Sequence, residues 1–170
     1  MKYSKIIVIV SLLLFQLGAA QEKADVVLNK AFTEAKAGKK NVLLVFHASW
    51  CKWCKMMEKN MDLAEAKPIF DKRFVTAYVD VQERGDKKSL ENPGGQELMN
   101  KYKGGNAGLP FWVILNLKGE VLADSFDAKG ENLGSPATPE EVTTFIAKLG
   151  KASKLSNEEA QTIEKIFVKK

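Results

Sequence analysis

The sequence contains few residues of the kinds that bind metals or cross-link chains. Its 170 residues include two cysteines and one histidine, His47. A structural zinc site takes about four such ligands, so zinc would require a dimer and is not expected. The sequence contains no glycine-rich phosphate-binding motif, internal repeat or low-complexity segment. We therefore expect no organic cofactor.

The charged residues carry both signs and are interspersed. Lysine and arginine number 26, against 21 for aspartate and glutamate. Scattered basic residues are typical of a solvated surface, so no nucleic-acid partner is expected. With 45% hydrophobic and 28% charged residues, the composition predicts one ordinary globular domain.

The N-terminal segment differs from the rest of the chain. Lys2 and Lys5 precede an apolar run over residues 6–17, and the small residues 18–20 follow it. This pattern is typical of a cleaved signal peptide. A membrane anchor is the alternative, but the run of twelve residues is shorter than the roughly 20 that a spanning helix needs. We predict a signal peptide over 1–20 and an exported protein, located in the periplasm or secreted.

Hydrophobic periodicity predicts strands and helices in the remainder of the chain. The predicted strands are apolar runs of strand length at residues 41–47, 73–81, 111–117 and 120–126. The predicted helices have apolar residues at helical spacing or a capping box, at residues 25–39, 52–66, 96–102, 138–149 and 156–170.

This order of elements predicts the architecture. Strands separated by helices favour a parallel pair, and a two-residue turn at Lys118-Gly119 would join the last two strands as an antiparallel hairpin. A mixed sheet with helices on both faces is therefore expected. We assign it to a domain over 21–150, followed by a helical extension over 151–170.

Both cysteines lie in one motif, Trp50-Cys51-Lys52-Trp53-Cys54, between the first strand and a helix. A thiol attacks a disulfide as the thiolate, and the start of a helix lowers the thiol pKa and leaves the thiol exposed. Cys51 would therefore attack, and the deeper Cys54 would resolve the mixed disulfide. This context favours redox chemistry over an inert structural disulfide or a metal site.

The segment 42–57, with Asp80 and Gly108-Leu109-Pro110, resembles the thioredoxin superfamily and especially its exported bacterial members. The resemblance implies an α/β thioredoxin fold, with a central mixed sheet of four to five strands flanked by helices. It also implies a cis Leu109–Pro110 peptide bond facing the cysteine pair. A client peptide would then pair with the Leu109 backbone as an added strand.

Some residues depart from the family pattern. Members often carry a buried acid six residues before the first cysteine, where this chain has Val45. Lys52-Trp53 matches neither the Gly-Pro of reducing thioredoxins nor the His-containing pairs of oxidants and isomerases, so the redox direction stays open. Lys52, Trp53 and Trp50 are expected to tune the pair or to contact clients. Residues 82–107 form an insertion near the same end of the sheet.

His47 has two interpretations. It lies on the first predicted strand, four residues before Cys51. It is either a proton carrier for the thiolate or a packed, hydrogen-bonded strand residue, and packing is the commoner role.

The motif and the resemblance together predict a monomeric thiol–disulfide oxidoreductase that acts on disulfides of exported proteins. Reduction is the favoured direction, which would require a membrane-linked thiol donor. If the direction is reversed, the membrane-linked partner would be a thiol acceptor. The alternatives are a disulfide oxidase or isomerase, and a non-catalytic thioredoxin-fold module that binds peptides.

Overall fold

Four strands form one mixed sheet in the computed structural model, which describes residues 21–169. In spatial order the strands are β2 (Phe74–Asp80), β1 (Asn41–His47), β3 (Phe111–Leu115) and β4 (Val121–Asp124). β1 is parallel to β2 and antiparallel to β3, and β3 is antiparallel to β4. The predicted mixed sheet is confirmed. The predicted signal peptide over 1–20 lies outside the described residues.

Helices cover both faces of the sheet. Within the described range they are α1 (Ala24–Gly38), α2 (Lys52–Asp62), α3 (Lys67–Asp71), α4 (Gly95–Lys101), α5 (Pro139–Ala152) and α6 (Asn157–Phe167), with a 3₁₀ helix at Gly85–Leu90. The capping boxes predicted at Thr138 and Ser156 start α5 and α6. None of the helices in residues 21–169 is long and apolar enough to cross a membrane.

The side chains of the central strands alternate between two hydrophobic cores, as successive residues of a strand do. Leu44 of β1 and Phe111 of β3 belong to the core under α1 and α4. Val45 and Trp112 belong to the core under α2, α3, α5 and α6. β1 is buried on both faces, which explains its continuous apolar sequence.

The helix that begins at the motif is shorter than the predicted 52–66. α2 ends at Asp62, and Leu63 is extended with φ −58° and ψ 143°. α3 then begins at Lys67 and has Pro68 in its first turn. Proline fits the first turn of a helix but not its interior. The predicted end of the motif helix at residue 66 is therefore wrong: residues 63–66 form a turn, and α3 is a separate helix that the sequence did not suggest.

The turn between β3 and β4 is also longer than predicted. The Asn116 N–H donates to the Glu120 carbonyl at 3.0 Å, and the Gly119 N–H donates to the Asn116 carbonyl at 2.9 Å. Gly119 has φ 79°, a conformation that favours glycine. Residues 117–119 thus form a three-residue loop with a left-handed glycine, and the predicted two-residue turn is wrong.

Gly104 lies against the ring of Phe111, the first residue of β3. A Cβ atom at position 104 would lie 2.3 Å from Cδ1 of this fully buried ring. We expect Gly104→Ala to lower the free energy of unfolding by about 1–3 kcal/mol, because the ring must move within a packed core. Urea unfolding measures the change.

Gly105→Ala is the matched control for this prediction. A Cβ at position 105 would meet the Oδ1 atom of Asn100, the end of an exposed side chain that can rotate away. We expect a change of about 0.5 kcal/mol or less. Equal losses in the two variants would contradict the role given to Phe111.

The buried Arg73 attaches α6 to the start of β2, and its side chain is 6% exposed. Its Nε donates to the Lys154 carbonyl at 3.0 Å, and its Nη1 donates to the Ile69 carbonyl at 2.9 Å. Its Nη2 pairs with the carboxylate of Glu159, which also accepts the Ser156 N–H at 2.7 Å. One guanidinium therefore joins α3, the α5–α6 connection and the N-terminal cap of α6.

Candidate functional site

The two cysteines lie at the carboxyl end of β1, where the chain turns into α2. The Cys51 N–H donates to the Ala48 carbonyl at 3.0 Å and closes the turn. Cys51 is the N-cap residue of α2, and its Sγ accepts the Cys54 N–H at 3.1 Å. The two residues form a disulfide with a Cα–Cα distance of 5.3 Å. The sulfur of Cys51 thus lies where unpaired helix N–H groups favour negative charge.

The cysteines are equally buried. Cys51 exposes 3% of its surface and Cys54 exposes 4%. Both pack with Ala48 and with the partly buried Leu109. The sequence-based expectation that Cys51 is exposed and that Cys54 is deeper is therefore wrong for this disulfide form. Exposure does not distinguish an attacking from a resolving cysteine here.

The loop before β3 faces the pair, as the resemblance implied. The Leu109–Pro110 peptide bond is cis. The Nδ2 group of Asn132 donates to the Gly108 carbonyl at 2.6 Å and to the Pro110 carbonyl at 3.1 Å. Asn132, which the sequence did not suggest, therefore fixes the backbone on both sides of Leu109.

The two tryptophans of the motif, one before Cys51 and one between the cysteines, lie at the surface. Trp50 is 40% exposed and Trp53 is 45% exposed. The Trp50 Nε1 donates to the Gln82 carbonyl at 2.8 Å, so this ring is attached to the start of the 82–107 insertion. Lys52 is exposed next to them on α2. These positions are compatible with the predicted contact with clients.

A groove separates Trp53 from the Leu109 loop. Its volume is about 280 Å³, and its walls include Trp53, Leu109, Asn132 and Ser135. The hydroxyl of Ser135 is buried and has no hydrogen-bond partner among the described residues. No group of three or more histidine, cysteine or carboxylate residues close enough to hold a metal ion occurs in residues 21–169.

His47 contacts the neighbouring strand. Its Nε2 lies 3.2 Å from Oδ1 of Asp80, and its ring centroid lies 5.1 Å from that of Tyr78. Burial raises the pKa of the Asp80 carboxyl, the charge of His47 opposes the rise, and Glu83 adds to it. His47 is thus a strand residue packed between the ring of Tyr78 and an acid. A role in proton transfer stays a prediction.

Glu83 is a buried acid near the motif that the sequence did not reveal. Glu83 is 2% exposed, and its carboxylate accepts the Ser49 N–H at 2.5 Å and the Ser49 hydroxyl at 2.8 Å. The Glu83 N–H in turn donates to the Glu91 carboxylate at 2.7 Å. Glu83 therefore holds the turn that leads into Cys51. The family position for a buried acid is occupied by Val45, which is 2% exposed.

Replacing Glu83 tests this role in positioning the turn. We expect Glu83→Ala to lower the free energy of unfolding by about 2 kcal/mol, because the Ser49 N–H and hydroxyl lose their buried acceptor. Glu83→Gln should cost less, since its amide oxygen can still accept the Ser49 N–H. Urea unfolding measures both values.

The control for the two Glu83 variants is Glu97→Ala, on the exposed face of α4. It should change stability by about 0.5 kcal/mol or less. A Glu83→Ala protein as stable as this control would show that the carboxylate does not hold the turn.

The sequence model of the thioredoxin-like family matches residues 23–116. This chain belongs to that family. The matched range covers more than half of the sequence and contains both cysteines and Pro110. No curated protein matches the sequence.

Two solved structures resemble this thioredoxin-like chain. One is the disulphide isomerase from Xylella fastidiosa Temecula1, with a TM-score of 0.51 and 22% identity, covering 89% of this chain and 91% of that chain. The other is the DsbH oxidoreductase, with a TM-score of 0.50 and 23% identity, covering 80% of this chain and 85% of that chain. At these identities the likeness concerns the fold, and the predicted thioredoxin fold is confirmed.

Proposed function

We propose that this protein is a thiol–disulfide oxidoreductase that reduces disulfides in exported proteins. The observation that supports this most strongly is the Cys51–Cys54 disulfide at the N-terminus of α2, beside Leu109. A sulfur at this position accepts a backbone N–H from Cys54. The same bond would stabilise a Cys51 thiolate, because hydrogen bonds to an ionised acceptor are stronger than those to a neutral one.

The proposed reaction has two exchange steps. The Cys51 thiolate attacks one sulfur of a client disulfide, the client bond breaks, and the second client sulfur leaves as a thiolate. Cys54 then loses its proton and attacks the Cys51 sulfur. This step forms the Cys51–Cys54 disulfide and releases the first client sulfur. The client gains two electrons, the protein loses two, and the protein ends in the disulfide form of this structure.

A membrane-linked thiol donor would return the protein to its dithiol form. The oxidised protein would accept two electrons from that donor by the same pair of exchange steps. In the opposite direction, the partner would be a thiol acceptor and the protein a disulfide donor. The direction therefore depends on the reduction potential of the cysteine pair.

The equilibrium reduction potential of the purified protein tests the function and its direction. Equilibration with glutathione or dithiothreitol buffers, followed by alkylation and mass spectrometry, gives the dithiol fraction. A value near thioredoxin's, roughly −270 mV, would support reduction, and a value near about −120 mV would make the protein a disulfide donor. If no reversible two-electron couple appears, the oxidoreductase proposal is wrong and the peptide-binding alternative replaces it.

Export is part of the same proposal. It is supported by the two N-terminal lysines, the apolar run at 6–17 and the small residues at 18–20. Expression in a Gram-negative bacterium, followed by N-terminal sequencing of the protein from the periplasmic fraction, tests it. We expect the N-terminus at Gln21, and an uncleaved cytoplasmic protein would contradict export.

A further inference from the structure

Each exposed tryptophan of the motif lies under a cationic side chain from a distant part of the sequence. The Arg84 guanidinium carbon lies 3.8 Å from the centre of a Trp50 ring. The Lys169 Nζ lies 3.9 Å from the centre of a Trp53 ring. Contact with the ring face holds a cation in place, because the ring carries partial negative charge there. Each tryptophan of the motif therefore has one cation against its ring.

These two cations have no ion-pair partner in the part of the chain that the structure describes. Other cations do have one: Arg73 pairs with Glu159, and Lys148 lies 3.6 Å from Asp124. The positive ends of Arg84 and Lys169 are thus available to a bound molecule.

Two acids near the motif, Glu83 and Glu141, accept hydrogen bonds from internal donors. The Glu83 carboxylate accepts both donors of Ser49 and is buried. The Glu141 carboxylate accepts the N–H groups of Ala137 and Thr138 in the cap of α5, at 2.9 and 3.0 Å. The exposed side chains at the motif are cationic: Arg84 and Lys169 lie on its tryptophans, and Lys52 and Lys55 are exposed on α2. Glu141 keeps its negative charge, but its carboxylate is held in the cap of α5 at the wall of the groove.

We propose that the protein prefers clients with acidic side chains next to the reacting cysteine. This inference rests on the proposed function, because the client is the molecule whose disulfide reacts. A client bound beside Leu109 would lie at the groove that Leu109 forms with Trp53, whose ring holds Lys169, and Arg84 lies on the other tryptophan of the same motif. Acidic side chains would meet cations that are already oriented, so less conformational entropy is lost on binding.

Three disulfide-linked peptides, identical except for glutamate, glutamine or lysine on each side of the cysteine, test the preference. The measured quantity is the second-order rate constant with which each peptide oxidises the dithiol protein, followed by stopped-flow tryptophan fluorescence. Each rate is divided by the rate of the same peptide with dithiothreitol, which removes the effect of charge on the peptide's own reactivity. We expect the corrected rate for glutamate to exceed that for glutamine by about three- to tenfold at low salt.

Two double variants assign the preference to its residues. Arg84→Gln with Lys169→Gln should lower the ratio by about twofold or more, while Lys52 and Lys55 remain. Lys36→Gln with Lys118→Gln removes the same charge from exposed positions on α1 and in the β3–β4 turn, and should leave the ratio unchanged.

The outcomes separate this inference from the proposed function. Equal corrected rates for glutamate and glutamine would overturn the inference, as would a ratio that is unchanged by loss of Arg84 and Lys169. If the glutamine peptide still oxidises the dithiol protein in those cases, the oxidoreductase proposal stands. If none of the three peptides reacts, the oxidoreductase proposal itself is wrong.

Discussion

Cys51→Ser is expected to abolish disulfide exchange, with a rate lower by about a thousandfold or more, because a serine hydroxyl without an activating base is a weak nucleophile. Cys54→Ser should instead stop the reaction after its first step. Its Cys51 still attacks the client, but no second thiol releases the mixed disulfide. Reduction of a disulfide-linked peptide gives the rate, and mass spectrometry under non-reducing conditions detects the trapped adduct.

The two variants are controls for each other. The same substitution is made three residues apart, at side chains of equal burial. An adduct in Cys51→Ser and none in Cys54→Ser would reverse the roles of the cysteines. Full turnover by the Cys51→Ser protein would show that the motif disulfide is passive.

Arg73→Met is expected to lower the free energy of unfolding by about 3 kcal/mol. The change leaves the carboxylate of Glu159, which is 21% exposed, without the buried guanidinium that pairs with it, and an ion pair that is partly buried is costly to break from one side. The carbonyls of Ile69 and Lys154 also lose their donor. Urea unfolding, monitored by circular dichroism, measures the change.

Lys72→Met is the matched control for Arg73→Met. Lys72 also lies near Glu159, at 3.9 Å, but its side chain is 72% exposed. An exposed ion pair contributes little, so we expect a loss of about 0.5 kcal/mol or less. Similar losses in the two variants would contradict the importance of the buried guanidinium.

The Arg73–Glu159 pair also predicts how stability depends on pH. The hydrogen bond from Arg73 is the main cause that lowers the pKa of Glu159 from 4.5 to about 2. Since the pKa is lower in the folded state, the stabilisation is complete above pH 4.5 and is lost as the pH falls toward 2. Arg73→Met should weaken this dependence in urea unfolding from pH 5 to pH 2. An unchanged dependence would show that other carboxyl groups cause it.

Patterns within one segment were enough to predict most of the fold. β1 reads as an unbroken apolar run because both of its faces are buried. The capping boxes at Thr138 and Ser156 place the last two helices, since each box uses residues only three positions apart. The motif itself is local, so both cysteines and the adjacent strand and helix could be identified.

The rest of the site depends on contacts between distant segments. Glu83 lies 34 positions from Ser49, and nothing distinguishes it from other acids of the polar 82–95 segment. Lys169 reaches Trp53 only because α6 folds back across the domain. The burial of Cys51 likewise depends on Leu109, which precedes a different strand. Hydrophobic periodicity contains no information about such contacts.

The two edge strands of the sheet, β4 and β2, differ in how easily a strand from another chain could pair with them. β4 is four residues long and its pairing with β3 is irregular at Leu115, so it offers little backbone to an incoming strand. β2 is seven residues long, and the groove between it and α2–α3 is lined by Asp62, Lys67 and Asp71. Lys67 lies 3.1 Å from Asp62 and 3.6 Å from Asp71. Charges beside a long edge oppose the addition of a strand from another chain, and we therefore expect this cluster to oppose edge-to-edge polymerisation at high concentration.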